Sequence, residues 1–576
     1  MKRTVTVFVI ALVWLYSAVV GVAADKKVKR KPSCVSPQAV EKFLSAKQRK
    51  FSAKSVSDTI VSSTGDVVVV EADSQLLVVP NPFDLYGKGI TFEPAIKNRY
   101  SYSSNNAQFD SNASDPVSIN DDDSAELTLT DFEFPFAGKN YKQLFINDNG
   151  NITFDTGDPE PPNLENLMDG PPRIAPFFAD LDPETAGSVI VRQTKDFVTI
   201  TWFKVPEFFS HDTFAYGENT FQIILYPSGR IDLNYSGDLT ATQALVGIVP
   251  GYGRSTLRLV DFSRGRLKGR PAASFIEDFR NYESIDIPSL MKSVYTQIPD
   301  HFDFVSLLSN FSLTPVPGAQ AFSINVQNDV RGIGNPSSRG SSIFRDQKKY
   351  GSNEKLQNIT FFGNIHDYPS NPSQTIPDTY TSLLQILGHE VGHRWLAYTK
   401  LQRDGRAQDL LLGRDKSHWS FFFDSDGSFV EGNQINSKGT SFVTSMPFQG
   451  YSRLDLYLMG FLKPEDVRDT FIVEGARRFS PDFPFAPESS PEPDVSFQGS
   501  AHSVKIDDII AANGKREPDS STSQKSFRHL FVLIVKKENP STPEELSAVD
   551  QLRREWESFF SKATLGLGKI DTRISD

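Results

Sequence analysis

The sequence predicts a multidomain chain in which an all-β, sandwich-like module is followed by an α+β domain. Three observations predict it. Between about 96 and 265, short segments rich in β-branched and aromatic residues recur at regular spacing, separated by turn residues. From about 275 onward, strand-like segments mix with helical patterns. A length of 576 residues also exceeds what one hydrophobic core organises, so two or three domains are expected.

The chain opens with a segment that reads as a signal peptide, residues 1–24. Lys2 and Arg3 form its positive end, an apolar run covers 5–20, and Val22-Ala23-Ala24 offers small residues for cleavage. The run is long for that role, so an uncleaved anchor is the alternative. No later segment has the length and apolarity of a membrane span, so none is expected after cleavage. Residues 25–95 read as an N-terminal arm or pro-segment. Within it, 37–50 suits a short helix with Ser36 as cap and Pro37 in the first turn, and 67–79 is strand-like. The single cysteine, Cys34, allows no internal disulfide, which suits a secreted bacterial protein, extracellular or periplasmic. Zymogen control by a thiol could run only through Cys34, whose setting Lys31-Pro32-Ser33-Cys34-Val35 reads as a flexible arm. A net charge of −11, with no long basic block beyond 26–31, argues against nucleic acid as a partner.

The β module, taken as 96–265, is read element by element. An apolar/polar alternation runs over 127–136. A hairpin is expected over 144–154, with Asn149-Gly150 at its turn. Strands follow at 189–191, 197–202, 221–226 and 231–235, the last two joined by Pro227-Ser228-Gly229. Ile174-Ala175-Pro176-Phe177-Phe178-Ala179-Asp180-Leu181-Asp182, then Gly187-Ser188-Val189, Val198-Thr199-Ile200-Thr201-Trp202, Asn219-Thr220-Phe221-Gln222, Tyr226-Pro227-Ser228-Gly229-Arg230-Ile231 and Val246-Gly247-Ile248, resemble the nidogen-type extracellular domain in their order. The resemblance covers roughly 90 residues in the sense of one small domain. It implies an adhesive or matrix-type accessory module with no chemistry of its own, and so an extracellular-matrix or cell-surface partner. Asp180 and Asp182 are candidate calcium ligands; a solvated acidic loop is the plainer reading.

Strands are expected at 303–308, 322–326 and 360–365 in the second domain, taken as 275–576. A Gly/Ser-rich loop covers 332–350, and a Pro/Ser-rich exposed insertion is expected over 478–499. A helical stretch should follow the central helix, ending in an amphipathic helix over 544–562.

The chemistry lies in His389-Glu390-Val391-Gly392-His393, an H-E-x-x-H motif inside the apolar stretch 382–398. Four residues turn a helix by about 400° and raise it about 6 Å, so both imidazoles share one face and can reach one ion. Glu390 lies about 100° round, placed to activate water rather than to bind metal. With only eight histidines in the chain, the motif should arise by chance in on the order of one chain in a hundred. Two histidines satisfied within a core are the bland alternative. Gly388 and Gly392 share a face and would let a neighbour pack close.

A catalytic zinc usually takes three protein ligands and keeps one position open. The motif resembles that of the H-E-x-x-H zinc metallopeptidases, the zincins, and the domain is expected to be zincin-like. The sequence departs from two subfamily patterns. After His393 it runs Arg394-Trp395-Leu396-Ala397-Tyr398-Thr399, without the metzincin G-x-x-H, and the thermolysin-type glutamate helix is not clear. His418, next in the chain and opening an aromatic run, is the leading third ligand; Glu431, Asp424 and Glu465 are the alternatives. Met459 lies in a segment loosely like the methionine turn of metzincins, or is core packing. Tyr451 and Tyr457 are candidate oxyanion donors.

These features point to a secreted zinc endopeptidase acting on a protein or peptide substrate, with Glu390 as general base. Two alternatives stay open. One is an adhesion or matrix-binding protein whose peptidase-like domain is inactive. The other is a zinc hydrolase acting on a non-peptide bond.

Overall fold

The computed structural model describes Cys34–Val35 and residues 59–576, apart from 74–75, 79, 160–161, 163–166, 209–217, 314–319, 336–342, 478–484 and a few single positions. The expected signal peptide and the helix expected over 37–50 lie outside the described residues.

Two antiparallel sheets form the β module. The first runs in the order Phe275–Arg280, Gln243–Val249, Arg173–Phe178, Asn151–Thr153, Gln143–Asn147, Ser124–Thr128. The second runs Arg99–Asn106, Lys88–Ala95, Ile231–Tyr235, Asn219–Leu225, Val198–Val205, Ser188–Gln193, Pro116–Val117. Side chains alternate in facing along each strand, so every second residue points inward. Ile146, Ile174 and Val246 from one sheet and Ile200, Ile223 and Leu233 from the other share one core, which makes the module a sandwich. Trp202 stacks on Phe221 at 5.2 Å between ring centroids inside it. The expected hairpin is present: Ile146 faces Ile152, and Gly150 takes φ 68° at the turn. A β-carbon there would meet the Phe177 carbonyl oxygen at 2.2 Å, so only glycine fits.

The sandwich is wider than the sequence suggested. Lys88–Ala95 pairs with Ile231–Tyr235, and Phe275–Arg280 pairs with Gln243–Val249, so both belong to it. Its entry and exit are clipped together. Leu77–Val78 pairs antiparallel with Ser284–Ile285, and Asn81 and Arg280 exchange backbone hydrogen bonds at 2.8 Å in both directions.

The rest of the chain is built on a mixed sheet in the order Cys34–Val35, Ala321–Asn325, Asn358–Asn364, Phe304–Ser309, Ser526–Lys536, Val67–Ala72, Ile60–Thr64, with Lys569–Asp571 beside Ser526–Lys536. Residues 60–72, read from sequence as part of an arm, are thus two strands of this sheet. Val67 pairs in parallel with Phe531, and Val70 with Ile534. The β module is therefore an insertion between two strands of one sheet. The run Val67–Val70 is apolar at every position because both faces of the sheet are covered. Val67 and Val69 pack with Phe304, Leu308, Phe531 and Leu533 against the helices Leu383–Gly392 and Pro543–Ala563. Val68 and Val70 pack with Val305, Leu307 and Val532 against the helix Ile287–Val294.

Beyond the helix Leu383–Gly392 strand outweighs helix, where a helical stretch was expected. A further sheet runs Glu431–Asn433, Trp419–Asp424, Thr470–Arg477, Ser496–Val504, Ser441–Thr444, Ile435–Lys438. The aromatic, alternating runs Trp419–Asp424 and Ser441–Thr444 suit strands, and their apolar sides join the same core as the helix. Nor is 485–499 an exposed insertion. Phe485 stacks on Phe421 at 4.7 Å, the Pro487 carbonyl accepts the Phe421 N–H at 2.9 Å, and Ser496–Val504 is a strand. The final amphipathic helix is present as Pro543–Ala563, capped by Thr542 and Glu545. Among the described residues, no helix is long and apolar enough to cross a membrane.

Candidate metal centre

The helix Leu383–Gly392 starts at a capping box. Ser382 Oγ accepts the Gln385 N–H at 3.3 Å, and Gln385 Oε1 accepts the Ser382 N–H at 2.8 Å. Gln385 also donates to the Phe448 carbonyl at 2.9 Å, which ties the first turn to the loop above it. His393 is the C-cap and keeps helical dihedrals, φ −59° and ψ −11°, so it still lies one turn beyond His389 on the same face. The two glycines have a specific use. A β-carbon on Gly388 would meet the Phe429 ring at 2.8 Å, and one on Gly392 would meet Val430 at 2.8 Å. Their bareness seats the 429–430 segment against the helix.

That segment orients the first histidine. His389 Nδ1 donates to the Phe429 carbonyl at 2.7 Å, His393 Nδ1 to the Leu396 carbonyl at 3.1 Å, and His418 Nδ1 to the Arg414 carbonyl at 2.9 Å. A carbonyl only accepts, so each Nδ1 carries the proton and each Nε2 presents a lone pair. All three Nε2 atoms meet. His389 and His393 Nε2 are 3.0 Å apart, and His389 and His418 Nε2 are 3.2 Å apart. Three neutral acceptors turned together repel unless a cation lies among them. Zinc–nitrogen bonds of about 2.0–2.1 Å in a tetrahedron would set the nitrogens about 3.3 Å apart, so the donor set fits zinc. Each imidazole is buried, and burial lowers all three pKa values. Arg414 and the other two imidazoles push His418 down further. The neutral, ligating form is thereby favoured.

His418 follows a single 3-10 turn, Arg414–Lys416, and immediately precedes the strand Trp419–Asp424. Its neighbour Trp419 is anchored by an indole N–H donated to Asp455 Oδ1 at 2.9 Å. Asp455 is itself fully buried, and burial pushes its pKa up to about 6.

Glu390, 0% exposed, lies next to His389 on the helix. None of the other acids considered as ligands joins the three-histidine grouping, although Glu431 lies near enough to act on His389 by its charge. Glu431 is ion-paired to Arg414 at 2.6 Å, the residue whose carbonyl holds His418. Asp424, at the far end of its strand, accepts the Ile435 N–H at 2.9 Å. Glu465 belongs to an unburied 3-10 turn, Pro464–Asp466. Of the candidate oxyanion hydroxyls, Tyr451 has its proton committed to a carbonyl. Tyr451 donates to the Gly388 carbonyl at 2.6 Å, and the Tyr457 oxygen accepts the Arg516 N–H at 3.3 Å. Met459 is buried, and its carbonyl accepts from Arg516 at 3.0 Å. In the sandwich, the Asp182 carboxylate accepts the N–H groups of Glu184 and Thr185 and the Thr185 hydroxyl, an Asx-type turn.

Sequence reasoning did not anticipate the carbonyls of Phe429, Leu396 and Arg414, because a main-chain acceptor leaves no residue-type signal. It also missed the buried Arg394, which pairs with Asp329 at 2.7 Å and donates to Gln357 at 3.2 Å just below His393.

With the two-sheet sandwich and the histidine site described, comparison with known proteins identifies the sandwich alone. Residues 99–266 match the family model described as NIDO related, so this module is of the nidogen-like class. The histidine site lies outside that match. No curated protein and no solved structure matches the chain.

Proposed function

We propose that the chain is a secreted zinc-dependent endopeptidase carrying a nidogen-like module, with a zincin-like catalytic domain formed by the mixed sheet and the helix Leu383–Gly392. The carrying observation is the convergence of three Nε2 lone pairs, each fixed by an Nδ1–H bond to a carbonyl, with Glu390 beside them. His389, His393 and His418 would hold the ion. Zinc bound there supplies Lewis acidity, a depressed pKa for water, and one position open to substrate.

The protein's own groups do the rest. The three carbonyls fix imidazole tautomer and direction, so no reorganisation is needed when the ion enters. Glu390 takes a proton from the attacking water and returns it to the leaving amine. Burial excludes bulk water around that carboxylate and strengthens its interactions. The nidogen-like module fits an extracellular setting and would bring the enzyme to a matrix or cell-surface partner.

Metal analysis of the purified chain should give one zinc per molecule, with chelator-sensitive cleavage of a mixed peptide library. Glu390→Gln should keep the zinc and lose on the order of 10²–10⁴ in kcat. Full activity in that variant would end the mechanism. Zinc without any hydrolysis, together with matrix binding, would favour the second reading, an adhesin with an inactive peptidase-like domain, to which the NIDO-related match lends weight.

A further inference from the structure

A second cluster of potential ligands lies in the sandwich, distant in sequence from the histidines. Carboxylate oxygens of Asp121, Asp122 and Asp148 come within 4.8 Å of one another. Acidic clusters on surfaces are common, and this grouping alone would carry nothing. Asp148 makes the difference. It sits in the tight hairpin between Gln143–Asn147 and Asn151–Thr153 and is 0% exposed. One of its oxygens accepts the Asp122 N–H at 2.9 Å; the other, Oδ1, is buried and has no hydrogen-bond partner among the described residues. A buried carboxylate with an unsatisfied oxygen beside two further acids is costly unless a cation compensates it.

The side chains around Asp148 are committed elsewhere, which fixes its position, and the Asn149 backbone N–H also faces its carboxylate. Asn147 Oδ1 accepts the Ser124 hydroxyl at 2.7 Å, and Asn149 Oδ1 accepts the Leu181 N–H at 2.8 Å. Asn149 also donates to the Pro159 carbonyl at 2.7 Å. The cluster opens to solvent on the other side, where Asp121 is half-buried and Asp122 exposed. Glu184 approaches from a neighbouring loop, accepting the Asp121 N–H at 3.5 Å. All the donors are oxygens, with no nitrogen or sulfur: Asp148 stands on the hairpin, and Asp121 and Asp122 on the partly exposed loop before Ser124–Thr128. Hard oxygen donors in a loosely shaped site select calcium over zinc, and a site open to waters does not impose the tight octahedron of magnesium.

We infer that Asp121, Asp122 and Asp148 form a calcium site in the nidogen-like module, with Asp148 as the buried anchoring ligand. The site lies on the loops beside the hairpin, next to Asp182 and Glu184, so calcium would order one end of the sandwich. It does not depend on the peptidase reading.

The test uses the full chain as Glu390→Gln, saturated with zinc and stripped of calcium. Terbium is the probe. Trp202 donates its indole N–H to the Asn147 carbonyl at 3.3 Å, one residue from Asp148, and so can sensitise a bound lanthanide. Terbium emission under tryptophan excitation should rise to saturation and be displaced by calcium, and calcium should raise the melting temperature. Asp148→Asn should weaken calcium binding by about tenfold or more, since affinity follows ligand charge. Asp121→Asn, at a half-exposed position, should weaken it in the same direction and decides the matter if Asp148→Asn does not fold. Absence of calcium-displaceable emission in the parent, or parent-like calcium affinity in the variants, would overturn the site.

Discussion

At the scale of single residues, the histidine centre is defined by what each ring nitrogen is bonded to. His418 and Glu431 were rivals for one role, and the geometry separates them: one points Nε2 at His389, the other is locked to Arg414. His418→Ala should therefore leave the purified protein without stoichiometric zinc. Glu431→Gln should retain it, with only a loosened Arg414. Metal content by mass spectrometry checks both, and the reverse pattern would move the third ligand to Glu431. A second residue-scale prediction concerns His529, fully buried between the Ser306 hydroxyl at 2.8 Å and the Trp556 indole at 3.0 Å. Burial lowers its pKa to about 3, below the ordinary histidine value of 6.5. The unfolded chain therefore binds the extra proton more readily. Stability from this group is complete above pH 6.5 and falls as pH drops from 6.5 toward 3, by about 1.4 kcal/mol per pH unit. Melting curves of the parent should steepen in that window relative to His529→Gln; equal slopes would show that His529 is not the group responsible.

At the scale of elements, the site depends on how closely the 429–430 segment seats on the helix. Gly388→Ala should push Phe429 away and disturb the carbonyl that orients His389, costing on the order of tenfold in zinc affinity, as second-shell changes do. A competition titration with a chelator of known strength measures it. Tyr451→Phe should lower stability by about 1 kcal/mol through loss of its bond to the Gly388 carbonyl, while kcat stays near the parent value. A large loss of kcat with unchanged stability would restore Tyr451 as an oxyanion donor. Elements were legible in the sequence to the extent that their signals were local. The 3.6-residue period around His389 and His393 marked the helix, and Asn149-Gly150 marked the hairpin. His418 stood out because histidine is scarce. The described part of the segment 478–499, residues 485–499, was misread because proline and serine suggest exposure, whereas Phe485 and Pro487 dock on Phe421 through contacts no local pattern encodes. Apart from the aromatic run after His418, the strands beyond the helix were missed for the same reason.

At the scale of the whole molecule, the parallel pairing of Val67–Ala72 with Ser526–Lys536 has the largest effect. Partners so far apart in sequence leave no signal in either segment, which is why 25–95 looked like a detachable arm. A processing cut that leaves every strand of this sheet, Cys34–Val35 included, must fall before residue 34. If the chain is exported and processed as proposed, the N-terminus of the processed protein, read by mass spectrometry, should fall there. A chain beginning after residue 72 should expose the edge of Ser526–Lys536 and aggregate. Soluble, active protein from that truncation would show the two strands to be dispensable.

The order in which the chain is made gives that pairing a further meaning. As the polypeptide leaves the ribosome, the inserted sandwich emerges whole and can close on its own core, because all its strands lie between residues 88 and 280. The strand Val67–Ala72 is made before it, yet waits for a partner that is synthesised almost last. The histidine helix lies on that unfinished sheet. The nascent chain thus holds a finished sandwich long before the sheet beneath the histidine helix can close.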